Sequence, residues 1–310
     1  MTKVAILSRY QENDNSWYNI LKDRYDNIIV FNKFDGENKL PNIGREGHTY
    51  LYYIVNHYEN LPEELLFSQY SPLDHFNKLN PSNNRGTNHV NDFLNSHLYD
   101  FICIRPTDYD LFVRKRKIEW LNNFNELYNT NSNINKIIST GACLNGIFRV
   151  SREAILKHDI HFYIRGLDML SRGKNPNEGF FFERAWKYIF TNYGNCPEKY
   201  SSFKDSIWLF GNPSFSSLVT DRKDRSYGHI KLYEDGCISS NNYCYYGHSN
   251  EHHWSINDDV LYFFSCTGSI TSTYKLSNIS ENTTQLFGTY YDSKGIHENK
   301  LLLKKALYQY

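Results

Sequence analysis

The sequence predicts an α/β fold: a mostly parallel sheet with helices on both faces, followed by a small antiparallel β module. Three observations predict it. Short continuous apolar runs alternate with helical patterns over the first seventy residues, which implies parallel strands joined by crossover helices. From Gly228 onward the pattern becomes short alternating segments separated by turn dipeptides such as Asp235-Gly236 and Thr267-Gly268. A length of 310 residues accommodates one large domain and a smaller one. The expected boundaries are residues 1–220 for the α/β domain and 221–310 for the β module.

Val4 to Leu7 is an unbroken apolar run, as in a strand covered on both faces. Trp17, Ile20 and Leu21 carry a helical period, and Asn27 to Phe31 is a second strand. Residues 32–42 read as a polar loop, 48–59 as a helix ending before Leu61-Pro62, and 64–69 as a third strand. Residues 70–95 read as polar and loop-rich, with an excursion around Asn80 to Gly86. Tyr99 to Ile104 is strand-like, 111–128 helical, 129–135 a polar break and 142–150 a strand. Ser151 stands in an N-cap position before Arg152-Glu153-Ala154, and a further helix covers roughly 178–192. In the β module the expected strands are 229–233, 237–239, 260–266, 269–276 and 284–290.

Composition excludes more than it selects. Basic and acidic side chains balance at 34 each, so no global field recruits nucleic acid or an anionic membrane. The 26 tyrosines suit surfaces that face sugars, but an A/T-rich coding sequence enriches tyrosine equally well. Six scattered cysteines include no Cys-x-x-Cys pair, so neither a zinc site nor a disulfide framework is signalled. The opening apolar run is too short for a signal peptide and no stretch is long enough to span a membrane. A cytoplasmic protein is expected. The sequence also lacks Gly-x-Ser-x-Gly, the P-loop and the dinucleotide fingerprint.

The most informative segment is Pro41-Asn42-Ile43-Gly44-Arg45-Glu46-Gly47-His48. Two glycines allow positive φ or a close backbone approach. A helix start supplies unpaired N–H groups and partial positive charge, and Arg45 offers a bidentate partner for phosphate oxygens. A surface arginine paired with Glu46 or Glu12 is the alternative. His48 is either a ligand-facing donor or a residue packed by Tyr52. Three phenylalanines precede Glu183, which would desolvate it and make it a better base, whereas Arg184 beside it favours the anion. A Glu183–Arg184 pair that merely fixes a helix is the other reading.

Asp74 and His75 could bind Mg²⁺ or Mn²⁺, and Asp108-Tyr109-Asp110 is a second acidic candidate. Among the C-terminal histidines only His248 and His252 could share a metal, and a solvated loop explains that cluster as well. Trp254 is either a glycan platform or a packing residue.

Several segments together resemble a poorly characterised family of fungal and bacterial proteins known only as a domain of unknown function. They are Tyr10, Glu12, Asp14 and Trp17 after the opening strand, then Asn42-x-Gly44-Arg45-Glu46 with Tyr50-Leu51. Ile54, Tyr58-x-x-Leu61-Pro62, Phe67-x-Gln69, Phe148-x-Val150-Ser151-Arg152, Phe162-Tyr163 and Phe182-Glu183-Arg184-x-Trp186 with Ile189-Phe190 complete the set, which spans roughly residues 1–210. More distantly, the order of parts is similar to nucleotide-sugar transferases of the GT-A fold. That resemblance implies a donor site of Tyr10, Glu12, Asp14, Asn42, Gly44, Arg45, Glu46, His48 and Gln69, with Glu183 and Arg184 on the acceptor side. Where the Asp-x-Asp metal motif would stand, this chain has Gln69-Tyr70-Ser71. The metal is therefore either Mg²⁺ or Mn²⁺ held by Asp74 and His75, or absent, with a cation such as Arg45 in its place.

The function expected is glycosyl transfer from a nucleotide-activated sugar to a glycan or glycoprotein acceptor. The rivals are a non-catalytic carbohydrate- or nucleotide-binding protein and a glycan hydrolase built on two carboxylates.

Overall fold

A computed structural model of the chain describes residues 2–77, 86–96, 98–104, 106–107, 113–129, 142–191, 197–204, 206–211, 226–233, 238, 251, 253–265, 268–276, 285–292 and 295–305. The chain divides into two compact units, residues 1–191 and 192–310.

The first unit is built on a five-stranded sheet in the order β2-β1-β3-β7-β4. Its strands are β1 (Lys3–Arg9), β2 (Asn27–Asn32), β3 (Glu64–Gln69), β4 (Phe101–Cys103) and β7 (Phe148–Ser151). β1 lies parallel to β2 and β3, whereas β7 runs antiparallel to both β3 and β4. The sheet is therefore mixed, with four strands in one direction and one reversed. A separate short ladder pairs β5 (Pro106–Thr107) with β6 (Ala142–Cys143).

The helices are α1 (Ser16–Leu21), α2 (Arg45–His57), α3 (Leu73–Asn77), α4 (Gly86–Asn95), α5 (Val113–Tyr128), α6 (Arg152–Ile155), α7 (Ile160–Leu170) and α8 (Asn177–Phe190). They cover both faces of the sheet, and the strand sequences show why. Along β1, Val4 and Ile6 enter one core with Leu65, Phe67, Phe101, Phe148 and Val150, where α2, α5, α7 and α8 pack. The alternate residues Ala5 and Leu7 enter the opposite core with Leu66, Ile102 and Ile147, beneath Trp17 of α1, Phe76 of α3 and Phe93 of α4. Period-2 alternation thus buries every residue of Val4 to Leu7, which is why the run is unbroken.

Several expectations shift. α2 starts at Arg45, three residues earlier than its apolar period suggested. The region 70–95 holds α3 and α4, not only loop, because Phe76, Val90, Phe93 and Leu94 are core residues. The strand expected over 142–150 is two strands separated by a 3-10 turn, Leu144–Gly146. α7 was not anticipated, and Asp159 caps it by accepting the Phe162 N–H at 2.9 Å. Ser151 does cap α6, accepting the Ala154 N–H at 3.1 Å.

The second unit carries a seven-stranded antiparallel sheet in the order β10-β11-β12-β13-β14-β8-β9. Its strands are β8 (Ser206–Gly211), β9 (Ser226–Leu232), β10 (His253–Asn257), β11 (Val260–Phe264), β12 (Ile270–Lys275), β13 (Gln285–Asp292) and β14 (Gly295–Lys305). Asp258 and Asp259, both with positive φ, form the two-residue turn between β10 and β11. The Tyr274 ring lies over Gly288, so close that a Cβ there would be 2.3 Å from a ring carbon. Of the strand expected over 237–239 the described residue is Ile238, which makes a bridge to Leu232. Trp254 is fully buried and donates its indole N–H to the Tyr233 carbonyl at 2.8 Å, so it packs and offers no glycan platform. His253 and Glu251 are buried, contrary to a solvated loop, while His248 and His252 lie outside the described residues.

Candidate functional site

The parallel strands β1, β2 and β3 end on one edge of the sheet, the edge where α/β proteins place ligands. The chain turns there from β2 into α2, and the turn Leu144–Gly146 enters β7 at the same edge, since Phe148 pairs with Phe67 near the end of β3. α8 supplies the remaining wall: Trp186 packs on Phe148 and Tyr50, and a Cβ on Gly179 would lie 3.3 Å from Arg45 Cδ.

The two glycines of α2 are explained by packing. Gly44 has φ 62°, and a Cβ there would fall 2.5 Å from the Leu170 carbonyl oxygen and 2.6 Å from His48 Cβ. A Cβ on Gly47 already meets Leu170 Cδ1 at 3.1 Å. The close approach that glycine permits is therefore to the end of α7.

Arg45 follows with φ 53°, a left-handed conformation unfavourable for a side chain with a Cβ. Its guanidinium lies over the Phe180 ring at 4.8 Å, with Nε 3.8 Å from Glu46 Oε2. It is directed toward α8, and it makes no hydrogen bond among the described residues.

Four ionisable side chains surround this point. Glu46 is mostly buried, and burial pushes its carboxyl above the ordinary range. Glu183 adds to that by repulsion, while Arg45, the Glu46 N–H and Lys33 oppose it. Lys33, just beyond β2, is buried and donates from Nζ to the Ile43 carbonyl at 2.6 Å, which ties the β2 end to the α2 start. Burial lowers its pKa to about 8, against the pull of Glu46. His48 is lowered to about 4 by burial and by Lys33; its ring stacks with Tyr52 and its Nδ1 is buried without a partner among the described residues. Glu183 Oε1 accepts the Asn145 N–H at 2.6 Å, and Glu183 Oε2 lies 3.7 Å from Arg184 Nη1. Arg184 in turn donates to the Phe180 carbonyl at 2.9 Å and sits 5.0 Å over the Trp120 ring. Clustered perturbed groups of this kind mark functional sites more often than chance.

The other candidate residues are distributed unevenly. Tyr10, after β1, is exposed and forms an edge-to-face pair with exposed Phe34 at 5.8 Å, with Lys174 Nζ 5.9 Å from the Tyr10 ring. Glu12 accepts the backbone N–H groups of Tyr10 at 2.6 Å and Gln11 at 3.1 Å, and Asp14 accepts from Ser16 N and Oγ. Both carboxylates are thus engaged in shaping the loop that leads into α1, and the Ser16 bonds hold Asp14 below its usual range. Asn42 is half-buried two residues before the Gly44 turn.

Gln69, at the end of β3, contacts His75 Nε2 through Oε1 at 3.0 Å, and His75 Nε2 is 3.8 Å from Asp74 Oδ1. Those three meet on α3, whose Phe76 belongs to the opposite core from α2. Among the described residues no three His, Cys, Asp or Glu side chains group to hold an ion. Asp108 and Asp110 lie outside the described residues.

Sequence reasoning missed Lys33, Phe34 and Asn145. Asn145-Gly146 is an Asn-Gly dipeptide and could have been found as a turn. Lys33 and Phe34 gave no signal beyond following a strand.

An α/β protein with an ionisable cluster at the carboxyl edge of its sheet is the class that fold and site define. The family model described as "Protein of unknown function (DUF3431)" matches residues 5–100 and 102–205, and the chain belongs to that family. No curated protein matches the chain. No helix among the described residues is long and apolar enough to cross a membrane.

Proposed function

We propose that the first unit transfers a sugar from a nucleotide-activated donor to a glycan or glycoprotein acceptor, in a GT-A-like arrangement. One observation carries the reading: Arg45 is held in a left-handed conformation at the sheet's carboxyl edge, beside the Glu46 carboxylate. Such backbone strain costs of order 1–3 kcal/mol and persists where surroundings fix a side chain for use. A cation at this place can stabilise a departing diphosphate, and a carboxylate within the same cluster can accept the acceptor's proton. In this reading Arg45 binds the donor, Glu183 is the base and Arg184 holds it. Asp74 and His75 would supply Mg²⁺ or Mn²⁺ if the reaction uses a metal.

A thermal-shift screen of nucleoside diphosphates and nucleotide sugars, with and without Mn²⁺, tests the proposal. A cognate donor at a hundred times its Kd stabilises by about 2.7 kcal/mol. Arg45→Ala should abolish that shift. Glu183→Gln should keep it while turnover falls at least about a hundredfold. No stabilisation by any donor would refute transferase chemistry.

The meeting of Glu46 and Glu183 favours a second reading, a hydrolase with two carboxylates. Release of free sugar from an oligosaccharide without any nucleotide would select it.

A further inference from the structure

The turn Leu144–Gly146 is gripped from two sides. Asn145 and Gly146 have φ 69° and 58°, so the turn is left-handed at two successive residues. Glu183, on α8, accepts the Asn145 N–H at 2.6 Å. Glu46, on α2, closes on the next residue: a Cβ on Gly146 would lie 3.4 Å from Glu46 Oε1. The two carboxyls thus come from different helices and meet at adjacent residues of one turn.

Each carboxyl is paired with one guanidinium at long ion-pair distance. The nearest guanidinium nitrogens lie 3.8 Å from Glu46 and 3.7 Å from Glu183, beyond hydrogen-bond length, and the two side chains are only 15% and 13% exposed. Burial, with repulsion from Glu183, opposes ionisation of Glu46, and a pair that holds one proton between them relieves the repulsion. The Asn145 Nδ2 group beside them is buried and has no hydrogen-bond partner among the described residues, so a polar group of the site remains unspent.

We propose that Glu46 and Glu183 form a proton-sharing pair that binds and deprotonates the attacking hydroxyl group of the acceptor. The hydroxyl chemistry rests on the transfer reading, whereas the shared proton does not. Before reaction the pair holds one proton, on Glu46. As the acceptor oxygen bonds to the sugar's anomeric carbon, its proton passes to Glu183. The bond from that carbon to the diphosphate oxygen breaks, and the diphosphate leaves with the electron pair. The pair goes from one negative charge to none, and a proton later returns to solvent.

The groups that set Glu46's titration are Arg45 on its own helix, Lys33 beyond β2 and Glu183 on α8. His48 stands behind Lys33 and Arg184 beside Glu183.

The experiment is a carboxyl titration of the full chain by infrared or by ¹³C-glutamate NMR. One carboxyl should titrate above the ordinary glutamate range, Glu46→Gln should remove it, and Glu183→Gln should shift it to lower pH. The amide in Glu183→Gln still offers an oxygen to the Asn145 N–H, so the turn keeps its anchor. A raised titration that survives Glu46→Gln, or one that Glu183→Gln leaves in place, overturns the pair. If Glu46→Gln does not fold, the wild-type and Glu183→Gln titrations decide alone.

With a donor and acceptor in hand, Glu46→Gln, which removes the proton that stabilises the Glu183 anion, should move the acid limb of kcat/KM to higher pH; an unmoved limb refutes the catalytic role. A blank donor screen with the expected titrations would remove the transferase reading and leave the pair. Donor binding with unshifted titrations would do the reverse.

Discussion

Replacing Gly44 with alanine separates a packing glycine from a ligand glycine. Gly44 caps α2 with φ 62°, and an alanine there adopts a left-handed conformation at a cost of about 1 kcal/mol. Its Cβ would meet the Leu170 carbonyl oxygen at 2.5 Å, His48 Cβ at 2.6 Å and Leu170 Cβ at 2.9 Å. None of these is the free end of a flexible side chain, so relief requires moving the end of α7 away from α2 and shifting the first turn of α2 around His48, an overpacking cost of about 1–3 kcal/mol. The expected loss is about 2–4 kcal/mol, or a fall of about 5–15 °C in the first unit's transition. Urea unfolding followed by tryptophan fluorescence reads this directly, because Trp17 and Trp186 are buried in that unit. Gly47→Ala is the internal control. Its Cβ would meet only the methyl of Leu170 at 3.1 Å and Trp186 at 3.6 Å, and alanine gains about 1 kcal/mol of helix propensity over glycine. A loss below about 1 kcal/mol for Gly44→Ala, or equal losses at the two glycines, would refute the packing account and return Gly44 to the ligand.

Other consequences are equally concrete. Arg149 donates from Nε to Glu64 Oε1 at 2.7 Å and from Nη1 to the carbonyls of Phe93 and Ser96, tying α4 to the sheet. Burial alone would raise the Glu64 carboxyl, but the Arg149 hydrogen bond and charge, with Lys3, hold it below its usual range. Arg149→Met should therefore cost about 3–5 kcal/mol in denaturant unfolding, and Glu64→Met in the same chain should recover much of it. The wild-type contribution of Glu64 should fade as pH falls below the ordinary glutamate range. Lys33 has a linkage of the same sign at higher pH: its pKa is depressed to about 8, so the folded state bears the cost of its charge fully below pH 8 and escapes it above the unfolded value. Lys33→Met should gain relative to wild type at pH 7 compared with pH 10, by about 2 kcal/mol, whatever it loses from the Ile43 bond. A pH-independent effect would show that Lys33 is already solvated.

How much of this was legible follows from what each residue can encode. Val4 to Leu7 could be read as a doubly covered strand because burial on both faces forces every position to be apolar. The reversal of β7 was not legible, since Phe148 to Ser151 would look the same in either direction. The start of α2 was misplaced because Gly44 and Gly47 weaken the helical signal; Gly44 makes room for the backbone at the end of α7, and Gly47 faces the side chains of Leu170 and Trp186. In α3 and α4 the few core residues, Phe76, Val90, Phe93 and Leu94, are diluted by asparagines that look like loop. At the site, Arg45, Glu46 and Glu183 could be picked out as chemically loaded, but Glu46 and Glu183 sit on different helices, and only the fold makes them neighbours.

That neighbourhood changes which residue deserves the experiment first. From sequence, Glu183 stood out because three phenylalanines precede it, yet Phe181 and Phe182 face the core with Trp186 and leave the Glu183 carboxylate bound to the Asn145 N–H. The carboxyl with the raised titration is Glu46, whose place at the second residue of α2 would ordinarily favour the anion through the helix dipole. Burial and a second carboxyl outweigh that dipole here, even with Arg45 and Lys33 nearby. A helix start that should stabilise negative charge, and instead holds an acid above its usual range, has too little cationic charge of its own to satisfy both glutamates. Either the protein spends that deficit on a proton, as a shared carboxyl pair does, or a cationic or hydroxyl-bearing ligand completes the site. A cation separates the two alternatives by pH: the shared proton is lost as pH rises, whereas a cationic ligand gains affinity once both carboxyls are charged.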